Sequence, residues 1–344
     1  MSDEFDTQVC LVSDQAVPNL TPVLDKRYRP RRVVLVVSEA RMENKARWLG
    51  QVYQHHGIEA AEFRLRDVKD FGAMQEDFTS LAKRWPASAL NATGGKKTMT
   101  IAAFQAFSVA GRPIFYVETD NRLVWLSPSG RMGVHLSAEL SMADYLTAYG
   151  WQIDEAHTLI HRGIEDFGRT MLEAPDVYSN YFPALEVGGR SEIKTLTGPN
   201  ANKQFESVMA LAVECGLATK EKGQYWANEV QARILKGGWL EQYVFFLLAS
   251  HRQKWGLLDI CHGLKIYATD QPDIRNEFDT AFLHGNSIHL IECKALRQGK
   301  NTGSAIPKFI YTLDSAKKSG GLMAKAMLVS WGADIGRTYR ERAR

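Results

Sequence analysis

Asp279, Glu292 and Lys294 are two carboxylates and an ammonium whose types and spacing could hold a divalent metal ion with a cation beside it. Two apolar runs, Phe278 to Leu283 and Ile288 to Ile291, flank the pair Gly285-Asn286. Such a pair predicts a two-residue hairpin turn, because Gly tolerates positive φ. In that register Asp279 stands opposite Glu292 and Glu277 opposite Lys294, all on one face of the hairpin. Directly opposed side chains lie about 5 Å apart at Cβ, where like charges repel. Mg²⁺ or Mn²⁺ would relieve that repulsion, since these ions take one or two carboxylates together with waters and phosphate oxygens. Lys294 beside the ion could orient an attacking water or offset charge developing on phosphorus.

The triplet acid-x-Lys also occurs at Glu43, Asp67 and Glu192, so its surroundings must separate the cases. Only Glu292 closes an apolar strand that can pair with a preceding strand bearing an acid at the matching position. Around it the pattern predicts a helix over 228–250, a strand over 257–268, the hairpin, a helix over 304–318 and a strand over 324–330. The first helix, with Trp239, Leu240, Tyr243 and Phe245, is apolar on nearly every side and is expected to be buried. Glu241 within it is therefore anomalous, because a buried carboxylate is costly unless paired or bound to a metal. Asp279 followed by Glu292-Cys293-Lys294 in this αβββαβ order resembles the PD-(D/E)XK nuclease superfamily. That resemblance implies that Asp279 and Glu292 hold the metal, that Glu241 completes its shell, and that Lys294 serves catalysis. It also gives Lys308 and Thr312 an accessory role, and the arginine-rich tail 337–344 could add a phosphate contact.

In the amino-terminal half, β-branched runs alternate with helical patterns. Strands are expected at Val9–Val12, Val33–Val37, Ala60–Leu65, Ser88–Asn91 and Ile114–Val117, with helices near 19–27, 41–56, 67–84 and 96–110. Such alternation predicts a doubly wound, parallel α/β sheet, whose ligands bind where strands give way to helices. There the chain reads Asn91-Ala92-Thr93-Gly94-Gly95-Lys96-Lys97. Two glycines let the backbone approach a ligand, and helix-start amides with two lysines favour an anion. The loop is neither a Walker A motif nor GxGxxG. It is similar to the ligand loop of CARF domains, the CRISPR-associated Rossmann-fold sensors of cyclic oligoadenylate. Lys96 stands where related loops often carry Thr, and Lys97 matches the family's Lys. The resemblance implies that Asn91, Thr93, Gly94, Gly95, Lys96 and Lys97, with Ser13 and Gln15 from the first strand's loop, contact a cyclic oligonucleotide. It further implies a homodimer sharing one ring.

The chain of 344 residues has room for two cores. We expect a sensor domain at 1–150, then a helical connector and nuclease domain at 151–344 with its core at about 228–332. Residues 140–172 read as largely helical, with His157 and His161 one turn apart, although Thr158 stands where a zinc-protease motif needs Glu. A net charge of +3 confines any nucleic-acid surface to a local patch. Four cysteines without metal-binding spacing, no signal segment and no membrane-length apolar run suit the cytoplasm. The combined expectation is a nuclease of DNA and/or RNA in type III CRISPR antiviral defence, switched on by cyclic oligoadenylate, with cyclic tetra-adenylate the expected ring. The alternatives are a ligand-binding sensor with an inert nuclease half and an unregulated restriction-type endonuclease.

Overall fold

The computed structural model describes residues 5–174, 191–192, 201–295, 320–321 and 323–332. The amino-terminal half is a seven-stranded sheet of order β3-β2-β1-β4-β5-β6-β7. Its strands are β1 (Thr7–Leu11), β2 (Arg32–Val37), β3 (Glu59–Arg64), β4 (Ser88–Asn91), β5 (Ile114–Val117), β6 (Arg122–Ser127) and β7 (Val134–His135). The first five are parallel and the last two antiparallel, so the expected doubly wound sheet ends in a hairpin. Central strands buried on both faces need unbroken apolar runs, which Val33 to Val37 supply. Val33, Leu35 and Val37 pack on α1 (Val17–Leu24), α2 (Ala40–His55) and α5 (Met142–Ala148). Val34 and Val36 face α3 (Phe71–Arg84) and α4 (Lys97–Val109) on the opposite side.

A small sheet joins β9 (Ser191–Glu192), β10 (Thr219–Glu221) and β11 (Gln224–Ala227) in the order β10-β11-β9, and a second large one has the order β15-β14-β13-β12-β8. It comprises β8 (Trp151–His157), β12 (Leu258–Ala268), β13 (Gln271–His284), β14 (Ser287–Ala295) and β15 (Lys325–Trp331), with only β14 and β15 parallel. Leu264, Phe278, Ala281 and Leu283 on one face join the cluster containing α2 and α5, so the two sheets share one layer of helices. The other face, including Phe282, Ile291 and Cys293, packs on α6 (Ile164–Glu173), α7 (Ala201–Glu214) and α9 (Trp239–Ser250). Within this packing Gly168 of α6 lies so close to Tyr243 that a Cβ would meet the ring at 2.2 Å. All four cysteines are unpaired, buried thiols.

Three expectations are corrected. Residues 140–172 are not largely helical: after Gly150, with φ of 82°, the chain enters β8 and pairs antiparallel with β12. His157 therefore ends a strand and does not share a helical face with His161; its ring lies 5.4 Å from that of His262. The helix expected over 228–250 is interrupted: α8 (Glu229–Arg233) passes into a π-turn, Ile234–Gly238, before α9 begins. Gly237 is the cause, since its φ of 144° is open to glycine and not to a side chain in a helix. Nor is α9 wholly buried, because Leu247 faces outward. The expected helix over 304–318, with Lys308, Tyr311 and Thr312, and the tail 337–344 lie outside the described residues. Among the described residues no helix is long and apolar enough to cross a membrane.

Candidate functional site

The turn and the ladder next to it form in the expected register, but the ladder ends before the Asp279–Glu292 and Glu277–Lys294 pairs, and Glu277 stands opposite Lys265 of β12. Gly285 and Asn286 have φ of 57° and 58°, the paired positive values of a two-residue I′ turn. The ladder then runs from His284–Ser287 to Thr280–Ile291. Beyond that point β13 keeps its pairing with β12 while β14 continues along β15. Here the Asp279 carboxylate replaces a backbone carbonyl, accepting the Cys293 amide at 2.6 Å. It also accepts from the Lys294 ammonium at 3.3 Å, and the same ammonium meets Glu292 at 2.5 Å. Two carboxylates and one lysine thus close on a common point at the open end of the hairpin.

The surroundings are poorly solvated for charge. Burial, then the neighbouring Asp279 charge, push the Glu241 carboxyl up to about 7. Burial also raises the Glu292 carboxyl, with the Asp279 and Glu277 charges adding to it against the Lys294 ammonium. For Lys294 burial acts downward, but the bond to Glu292 and the charge of Asp279 outweigh it and hold the ammonium above its ordinary range. Glu241 and Lys294 line one cavity of about 540 Å³. Thr280 donates its hydroxyl to the Glu241 carbonyl at 3.4 Å, tying α9 to the hairpin.

Asp279 and Glu292 come together on Lys294, while Glu241, expected as an outer or second metal ligand, stands on the cavity wall. Among the described residues no three His, Cys, Asp or Glu side chains are grouped to hold a metal ion. The Lys294 ammonium, not a third carboxylate, bridges Asp279 and Glu292. The donor set still suits a hard divalent ion, which needs only one or two carboxylates beside water and phosphate oxygens. Asp279 and Glu292 supply those two.

At the carboxyl ends of β1 and β4 lies a smaller, mostly apolar pocket. Ser13, Gln15, Thr93 and Gly94 line it, as expected of ligand contacts. Gly94 must be glycine, since a Cβ would sit 2.0 Å from the Leu11 carbonyl oxygen; Gly95 has φ of 81°. Ser13 fixes its loop by exchanging 3.3 Å bonds with the Gln15 backbone, while the buried Gln15 Oε1 has no partner among the described residues. Asn91 is placed otherwise than expected. It is fully buried, donates to Pro18 and Asn19, and accepts from the Thr93 amide and hydroxyl, so it holds the loop and presents nothing to solvent. Gly95, Lys96 and Lys97 do not line this pocket; Lys97 begins α4, and Lys96 pairs with Glu39 at 3.2 Å.

Sequence reasoning missed the rest of the pocket. Tyr116, Glu118 and Asn121 come from the end of β5 and the turn after it, whose position beside β4 was the available signal. Asn286 and Ser287, from the nuclease hairpin turn, close another side, and no local pattern joins them to residue 93. Asn286 donates to the Ala138 carbonyl and accepts from the Leu140 amide, each at 2.8 Å, which clamps the turn to the segment entering α5.

Comparison with known proteins agrees with both halves. Residues 7–145 match the family model of the Card1 CARF domain, and residues 228–344 match that of the Card1-like endonuclease domain. No curated protein matches the chain significantly. Among solved structures, protein VC1899 from Vibrio cholerae shares the fold with a TM-score of 0.82 and 23% identity, over 98% of this chain and 91% of that one. Can2 from Sulfobacillus thermosulfidooxidans, solved with cyclic tetra-adenylate, aligns with a TM-score of 0.78 and 25% identity over 98% and 92%. A type III CRISPR defence DNA nuclease activated by cyclic oligoadenylate shares the fold at a TM-score of 0.61 and 18% identity, over 95% of this chain but 45% of that chain. With a Card1-type CARF domain leading into a Card1-like endonuclease domain, the chain belongs to the CRISPR-associated CARF nucleases.

Proposed function

We propose that this endonuclease cuts DNA and/or RNA with the help of Mg²⁺ or Mn²⁺ and is switched on by cyclic tetra-adenylate. The observation that carries the catalytic reading is the convergence of Asp279, Glu292 and Lys294 where β13 and β14 part. Asp279 and Glu292 would hold the metal, with Glu241, on the cavity wall that it shares with Lys294, as a further or outer ligand. Bound there, the ion would supply Lewis acidity to a phosphoryl oxygen and make a water more acidic. Lys294, steered by the two carboxylates, orients the attacking water and offsets charge on the phosphoryl oxygens. The water oxygen attacks phosphorus in line and gives up a proton to solvent, the bond to the leaving sugar oxygen breaks, and that oxygen takes up a proton from solvent.

The activator reading rests on the pocket formed by Ser13, Gln15, Thr93 and Gly94, on the unpartnered Gln15 Oε1, and on Can2 having been solved with this ring. A ring with internal symmetry suits a homodimer presenting two such loops across a two-fold axis. Lys96 and Lys97, exposed at the start of α4, would face its phosphates. The nuclease turn borders the same pocket, so occupancy can bias the hairpin that carries the catalytic residues.

The test is cleavage of single-stranded DNA, plasmid and RNA by purified protein in either metal, with and without the ring. Cleavage should require the ring, be abolished in Glu292→Ala and fall in Lys97→Ala. Ring binding without cleavage by the wild type would leave a sensor with an inert nuclease half. Equal cleavage without the ring would leave an unregulated endonuclease.

A further inference from the structure

The cavity that holds Glu241 and Lys294 has a second wall that the catalytic reading does not use. It is formed by α8 and the π-turn, which bring Arg233, Lys236, Gly237 and Gly238 to its surface. The π-turn is what places them there. By breaking the helix at Gly237 it lets the backbone of the turn pass close to β14, where a Cβ on Gly237 would lie 3.5 Å from that of Ala295. Arg233 and Lys236, three residues apart, are both exposed. The Arg233 guanidinium has no hydrogen-bond or ion-pair partner among the described residues, whereas Arg27, Arg41, Arg66 and Arg275 are all engaged. Its charge is felt at Glu241 inside the cavity and at His262 and Lys265 on β12.

A phosphodiester strand carries one negative charge per nucleotide, and this site sets three carboxylates against one ammonium. A bound divalent ion would offset the acids at the scissile phosphate but leave the flanking phosphates unmet. Guanidinium and ammonium groups on the cavity wall meet that need, and contacts of this kind fix a strand's register without reading its bases. Glu229, four residues before Arg233 on the same wall, opposes them.

We propose that Arg233 and Lys236 form a phosphate-binding rail that seats the substrate strand beside the scissile bond, an inference that rests on the nuclease reading above. Its ligand is the sugar-phosphate backbone of a nucleic acid.

The test measures binding of fluorescein-labelled single-stranded DNA, and of RNA of the same sequence, by fluorescence anisotropy across a salt series. The protein is held with cyclic tetra-adenylate and Ca²⁺ for this measurement. Each lost phosphate contact lowers the slope of log affinity against log salt by about 0.7 for a single strand. Arg233→Gln and Lys236→Gln should each lower it by about that amount and raise KM roughly tenfold. Arg233→Lys, which keeps the charge, should restore the slope, and Glu229→Gln should tighten binding. A response to DNA or RNA alone identifies which strand the rail seats. If slope and KM in both Gln variants equal the wild type while Glu292→Ala is dead, the rail is overturned and the nuclease stands. If Glu292→Ala cuts like the wild type, the nuclease reading falls and the rail with it.

Discussion

Single side chains here divide between holding and acting, and whether their polar atoms have partners tells them apart. Asn91 and Gln15 are both amides at strand ends, yet Asn91 satisfies its donors and acceptors internally whereas Gln15 leaves a buried oxygen without a partner. Asp25 is a holding residue of another kind. Its carboxylate accepts from the Arg27 amide and guanidinium and from the amide and hydroxyl of Ser137. Burial alone would raise this acid, but the bonds from Arg27 and Ser137 outweigh it and bring it down to about 2. A group depressed in the folded state stabilises the fold fully above its unfolded pKa of 3.8, and that contribution is lost as pH falls through 2. Urea unfolding between pH 5 and 2 should therefore show the wild type losing stability more steeply than Asp25→Asn. At neutral pH Asp25→Ala should cost about 1–3 kcal/mol, because it leaves the Ser137 amide and hydroxyl without their acceptor.

Elements were more legible than their junctions. The five parallel strands and the hairpin register could be read because each depends on a local pattern: unbroken β-branched runs in the first case, and a Gly-Asn pair between apolar runs in the second. Strand β8 could not, since Trp-Gln-Ile-Asp-Glu-Ala-His mixes good helix formers with weak alternation, and its pairing with β12 is decided more than a hundred residues away. The π-turn was hidden for a related reason: Gly237-Gly238 is only a weak breaker until Ala295 shows why the backbone must pass there. The helix carrying Glu241 depends on a junction of the same sort. Gly168→Ala would drive a methyl group into the Tyr243 ring and push α6 off α9, costing about 1–3 kcal/mol. A thermal melt should show the lower Tm, and cleavage should weaken as Glu241 shifts. An unchanged melt would mean the two helices separate without penalty.

For the whole molecule, the decisive contact is the Asn286 clamp between the nuclease turn and the segment entering α5. It was illegible in the sequence because its partners, Ala138 and Leu140, lie far from it along the chain. Asn286→Gly retains the positive φ that the turn needs but deletes both bonds. We expect a loss of about 1–3 kcal/mol in stability. Calorimetric binding of cyclic tetra-adenylate should persist, while the ratio of cleavage with the ring to cleavage without it falls several-fold. A ratio equal to that of the wild type would show that the signal travels by another route.

The four buried thiols give the chain internal timers. Burial pushes Cys10 and Cys261 up to about 12 and Cys215 up to about 11, and raises Cys293 as well. Since only the thiolate reacts readily, maleimide at neutral pH must wait for each site to open. Cys10 times the first sheet, Cys261 and Cys293 the second, and Cys215 the helical layer beneath it. Mass spectrometry of the four labelling rates should show divalent cations slowing Cys293 and the cyclic ring slowing Cys10. If each ligand also slows the other's timer, the communication between sensor and nuclease can be measured without a substrate.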